Sequence, residues 1–100
     1  MIRGTTPTHN FDIPFDTSMV KEVKVIYAQN DVVILEKRTE DCQLNGNTIS
    51  VTLTQEDTFK FDCKKHVEIQ VRILANNGEV FSSIPHKVGV AKCLDKEVLK

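Results

Sequence analysis

Residues 53–62 read LTQEDTFKFD, and the role of this stretch decides the fold. Segments of alternating apolar and polar residues flank it: Ile49, Val51 and Leu53 on one side, Val67, Ile69, Val71 and Ile73 on the other. Its three carboxylates, Glu56, Asp57 and Asp62, raise the question of an acidic site. Acid–base catalysis by a carboxylate pair requires two groups that converge on one substrate from unlike environments. Adjacent residues 56 and 57 point in different directions. A corner explains the stretch better. Thr54-x-x-Asp57 has the form of a capping box, with Asp in place of the longer Glu or Gln. Thr54 can accept from the N–H of Glu56 or Asp57, and both acids suit the positive end of a helical turn. Phe59 and Phe61 then serve as anchors between two sheets. The reading is a short helical turn near 54–58 that carries the chain from one sheet to the next.

Working outward, the same period of two recurs in Phe11, Ile13 and Phe15, and in Val23, Val25 and Tyr27. Period two places one set of side chains on one face, which a core can bury. Val, Ile, Thr and Phe at these positions favour strands. Turn signals separate the runs: QND at 29–31, NGN at 45–47 and NNG at 76–78. Asn-Gly suits the positive φ of tight hairpins. Seven strands follow, near 8–15, 22–29, 32–38, 48–54, 66–75, 79–84 and 87–93. Pro14 removes a ladder donor, which places the first strand at a sheet edge. Such an edge can extend a neighbour's sheet. Seven short strands in 100 residues predict one all-β domain, an immunoglobulin-like antiparallel sandwich spanning 1–100. The tail DKEVLK is charged and is expected to fray or add a final turn.

Composition narrows the function. Thirteen Lys and Arg against 14 Asp and Glu leave a net charge of -1. Binding to nucleic acid normally shows a basic surplus or stripe; the densest basic stretch, Lys64-Lys65-His66, is bracketed by Asp62 and Glu68. No signal-peptide run or membrane-spanning stretch is present, so a cytoplasmic protein is expected. Cys42, Cys63 and Cys93, widely spaced and odd in number, fit free thiols there.

Little in the sequence signals chemistry. Among His9, His66, His86 and the cysteines, only Cys63 and His66 are closely spaced, and no C-x-x-C occurs. G-x-S-x-G and Gly-rich phosphate loops are absent, and Ser82-Ser83 lies in an ordinary strand. With six aromatics and no Trp, a sugar or base-stacking platform is not expected. No catalytic residue, metal or cofactor is assigned. What remains is surface: His66, Glu68, Gln70 and Arg72 form one polar face and are the candidate interaction residues. In VVILE, 32–36, Val32 and Ile34 point one way and Val33 and Leu35 the other. Either this is a central strand, or one face is covered by a partner or a second copy.

The stretches RGTTPTHNFDIPFD, VKEVKVIYAQND, EDCQLNGNTISVTLTQEDTFKFDCKKHVEIQVRI and GEVFSSIPHKVGV together resemble small proteins of phages and prophages of Firmicute-type bacteria. The resemblance spans roughly residues 3–94, and its most specific parts are RGTTPTH, LTQEDT and VEIQVRI. That family has no assigned function and brings no site residues. It implies expression in a host bacterial cytoplasm, and a layout similar to small sandwich modules of phage tails and baseplates. The expected function is a non-enzymatic protein–protein interaction module, a minor structural or assembly component that meets a phage structural protein or its own copy. An accessory protein binding a host factor is the alternative. Neither nucleic acid nor membrane is an expected partner.

Overall fold

The computed structural model describes all of residues 1–100. The alternating runs form β1 (Thr8–Asp12), β2 (Val20–Gln29), β3 (Val32–Arg38), β4 (Cys42–Asn45), β5 (Thr48–Thr52), β6 (Val67–Ala75), β7 (Val80–Ser82) and β8 (His86–Val88). One short helix, α1 (Gln55–Phe59), lies between β5 and β6. Every strand pairing is antiparallel, in two sheets. The smaller runs β1-β5-β4; the larger runs β3-β2-β6, with β7 and β8 both on the far side of β6. The protein is an all-β sandwich.

Period two builds the core as expected. Val23, Val25 and Tyr27 of β2 are fully buried, as are Ile49 of β5 and Val67 of β6, and Ile69, Val71 and Ile73 join them. Each such side chain contributes about 1.5–3 kcal/mol on leaving water. Tyr27 takes the centre, stacked against Phe61 at 6.0 Å and His9 at 5.7 Å between ring centroids. In antibody-type sandwiches that central place on the equivalent strand belongs to Trp, which this chain lacks.

The strand order has a specific meaning. Immunoglobulin sandwiches pair A-B-E-D in one sheet and G-F-C, with C′ added in variable-type domains, in the other. Here β1-β5-β4 stand as B-E-D, and β6-β2-β3 as F-C-C′. β7 and β8 are one G strand broken at Ser83–Pro85, where Pro85 has no N–H to donate. Ser83 bridges the break: its N–H donates to the Val71 carbonyl at 2.9 Å and its Oγ accepts from the Val71 N–H at 3.0 Å. No strand occupies the A position beside β1.

Several expectations change. There are eight strands where seven are predicted, because Cys42–Asn45 pairs with β5 across the Asn-Gly turn; four residues carry too short an alternation to register alone. The first strand stops at Asp12, so Pro14 lies beyond it, although β1 is the predicted edge. The segment 87–93 contributes only its start to the sheet. From Gly89 the chain instead pairs with the N-terminus, the Arg3 N–H donating to the Ala91 carbonyl and the Ala91 N–H to the Met1 carbonyl. The tail adds no turn; the Gln55 side chain amide holds the Leu99 backbone by two hydrogen bonds. β3 is an edge strand and not a central one. A β-bulge between Tyr27 and Ala28 leaves Ile34 opposite no partner, and Val32 and Val33 emerge exposed.

The 53–62 corner has the capping box predicted. Thr54 Oγ1 accepts from the Asp57 N–H at 3.1 Å, and Asp57 Oδ2 accepts from the Thr54 N–H at 3.0 Å. Asp57 also reaches Lys37 of β3 at 2.8 Å, so the corner is pinned to the sheet edge. Of the two anchors, only Phe61 enters the core. Phe59 instead lies under the N-terminal segment. Arg3 donates to its carbonyl at 2.9 Å and covers its ring at 5.6 Å. Buried Thr58 accepts from the Gly4 N–H and donates to the Thr5 carbonyl, both at 2.9 Å. RGT and EDTF are therefore one docked unit. Gly4 has φ +80, and a Cβ there would stand 2.8 Å from Phe59 Cζ. Gly4→Ala is expected to destabilise by about 1–3 kcal/mol, from left-handed strain plus overpacking. Urea unfolding checks this; unchanged stability would show that the strap contributes nothing.

Candidate functional site

The site begins with the hydrogen-bond pattern of β1. The Leu53 N–H donates to the Pro7 carbonyl and the Ile13 N–H to the Asn47 carbonyl. In antiparallel pairing this parity turns the backbone groups of odd-numbered residues 7–13 toward β5. The N–H and C=O groups of Thr8, Asn10 and Asp12 consequently point away, along an edge no strand covers. Beside that edge runs a groove of about 720 Å³. Consecutive residues of the 8–15 segment form one wall and Phe81, Ser82, Ser83, His86 and Val88 the other, with Ile69, Val71 and Ile73 between them. Its volume falls in the range of sites that bury most of a small ligand.

The groove is apolar within and polar at the rim. Phe15 and Phe81 meet across it at 5.2 Å between ring centroids, and Phe81 remains partly exposed. No Lys or Arg lines it; Asp12 is its one carboxylate. The outward side chains of β1 are held by β5: Thr8 pairs with Thr52 at 2.7 Å, Ser50 donates to Asn10 at 2.6 Å and Thr48 donates to Asp12 at 2.9 Å. These bonds hold the edge straight. At one end His9 Nδ1 and the Tyr27 hydroxyl lie 2.8 Å apart. Burial, then the positive N-terminus, lowers the His9 pKa. Burial, with Cys42 and Asp57 nearby, holds the Tyr27 phenol well above its ordinary range. A neutral imidazole and a protonated phenol satisfy each other.

The opposite flank is guarded. β3 carries the bulge at Ile34 and directs Lys37 inward to Asp57, two devices that keep strand edges from pairing with other chains. β4 is only four residues long.

The residues marked in the sequence sit elsewhere. His66 precedes β6 and is exposed, while Glu68, Gln70 and Arg72 lie on the outer face of the larger sheet. Gln70 donates to the Ser83 carbonyl at 2.9 Å and Arg72 to Ser82 Oγ at 3.1 Å, so two of the four brace the broken G strand. Lys24 stands directly opposite Arg72, and Glu36 pairs with Lys24 at 3.3 Å. The three cysteines are free and half-buried, and no three of His, Cys, Asp and Glu gather in a metal-holding cluster. Glu56 is exposed while Asp57 is buried, so the two do not converge. The groove residues Asn10, Asp12, Phe81 and His86 are not marked as site residues in the sequence. No residue within β1 signals its edge position: Pro14, a strand residue in the sequence reading, lies beyond Asp12, and the edge comes from the sheet order.

No family model matches this chain, and no curated protein or solved structure matches it. No helix is long and apolar enough to cross a membrane.

Proposed function

We propose that the protein is a non-enzymatic protein–protein contact module, working as a minor structural or assembly component of a phage particle in a host bacterial cytoplasm. The observation that supports this reading best is the open seam: an apolar groove beside an unpaired strand edge, on a sandwich whose other flank is guarded. The phage setting rests on the resemblance carried by RGTTPTH, LTQEDT and VEIQVRI. Two of those stretches form the docked strap and corner that hold the chain's start away from β1.

Mass spectrometry of purified induced particles and assembly intermediates tests the role. The expected result is this chain at low, fixed stoichiometry. Its absence from both would overturn the structural role; recovery of one stoichiometric host protein on the tagged chain would then establish the accessory reading.

A further inference from the structure

We infer that the groove is the receiving site for a β-strand from another protein, which takes the vacant A position beside β1. This rests on the contact-module reading and names its site and mode. The edge offers three N–H and C=O pairs, from Thr8, Asn10 and Asp12, at the two-residue repeat of about 6.8 Å. A repeating donor–acceptor ladder of that spacing matches a polypeptide backbone and not a small molecule. Five residues of β1 span about 17 Å, so the incoming segment is about five residues long.

The chain's own start does not fill the position. Residues preceding β1 are tied across the corner, Arg3 and Gly4 to Phe59 and Thr58, and the N-terminal amine to the Gly89 carbonyl at 2.8 Å. A symmetric pairing of β1 with the β1 of a second copy leaves the groove unfilled, because Ile13 and Phe11 of that copy already pack on its own core. The occupant this inference commits to is a segment of another protein. Its inward side chains are apolar, to meet Val71, Ile73 and Phe81. Its outward ones are uncharged or basic, since Asp12 is the groove's one carboxylate. This is strand addition, in which the backbone supplies affinity and alternate side chains supply specificity.

The probe is the acetylated, amidated heptapeptide Lys-Val-Thr-Val-Thr-Val-Lys, added to the full-length protein with amide exchange followed by NMR. At saturation, exchange at Thr8, Asn10 and Asp12 is expected to slow by about tenfold or more, with β6 amides unchanged. Two N-methylated versions, one for each alternate set of peptide amides, extend the test. One set abolishes protection and the other spares it, because only one set faces β1. Asn10→Pro removes a free-edge donor while keeping the β1–β5 backbone ladder, and is expected to weaken peptide binding at least tenfold with β6 exchange retained, whereas Asn10→Ala, which loses only the Ser50 bond, is expected to bind within about threefold of wild type. Unaltered exchange at all three amides with millimolar peptide would overturn the inference. So would equal binding of both methylated peptides, which means stacking without a ladder. Protection that rises with protein concentration alone would place a second copy on the edge and overturn the foreign occupant. Failure here leaves particle incorporation through another face open, and absence from particles leaves the groove result standing.

Discussion

Phe61→Ala is expected to destabilise the protein by about 3–5 kcal/mol, whereas Phe59→Ala, two residues earlier, is expected to cost about 1–2 kcal/mol. Both are Phe residues of one corner, and the sequence pattern treats them alike. Phe61 is fully buried against Tyr27, so truncation leaves a cavity at the centre of the sandwich that surrounding strands cannot collapse to fill. Phe59 is partly exposed and outside the core cluster, and its ring supports Gly4 and the Arg3 guanidinium. A domain of this size is stable by about 5–15 kcal/mol, and each kcal/mol moves its Tm by about 4–8 °C. Thermal unfolding of the two variants separates them clearly. Equal losses would mean that Phe59 is also a core anchor.

Asp57→Ala is expected to lose about 3 kcal/mol at neutral pH, through two partners at once. The carboxylate caps α1 through the Thr54 N–H and pairs with Lys37 at 2.8 Å, both in a largely buried setting. Removing it leaves the Lys37 ammonium without its counter-charge, which costs about 3–5 kcal/mol in a dry interior and less here, where Lys37 keeps some contact with water. Lys37→Met costs less, because Asp57 keeps its helical partners. The effect depends on pH with a definite sign. Burial by itself raises the Asp57 carboxyl, but the hydrogen bonds from Lys37 and Thr54 outweigh it, and the folded pKa lies below the ordinary value. The stabilisation is complete above the unfolded carboxyl pKa of about 4 and declines as pH falls through the lower folded value. Urea titrations of wild type and Asp57→Ala at neutral pH and in acid should converge in acid. A gap that stays constant would assign the loss to packing alone.

Both variants belong to one ten-residue stretch, which also shows how far local reading extends. The Thr54–Asp57 box is legible because a capping box closes within four residues, and the structure has both of its bonds. Nothing local says that Asp57 continues to Lys37, twenty positions back and on another strand. The same division runs through the candidate site. Pro14 predicts an edge for the first strand, and β1 is one, but Pro14 lies beyond Asp12, so its missing N–H is not what leaves that edge open. That Phe81 lies across from Phe15 depends on β7 pairing with β6 and on how the two sheets stack. The polar face of His66, Glu68, Gln70 and Arg72 follows from alternation alone, and alternation does not say that Gln70 and Arg72 are occupied with Ser83 and Ser82.

By itself, the sequence determined that the chain is an all-β sandwich, where most of its strands lie, which side chains face inward, and that LTQEDTFKFD turns a corner. Those are properties of neighbouring residues: period two, turn chemistry and a four-residue cap. Only the tertiary structure decided which strands are neighbours, that β3 is a guarded edge, that Phe59 serves the N-terminal strap and not the core, and that the position beside β1 is vacant. Each of those depends on segments far apart in the chain; an edge for the first strand is expected locally, but whether another segment fills the position beside it is decided by where the rest of the chain goes.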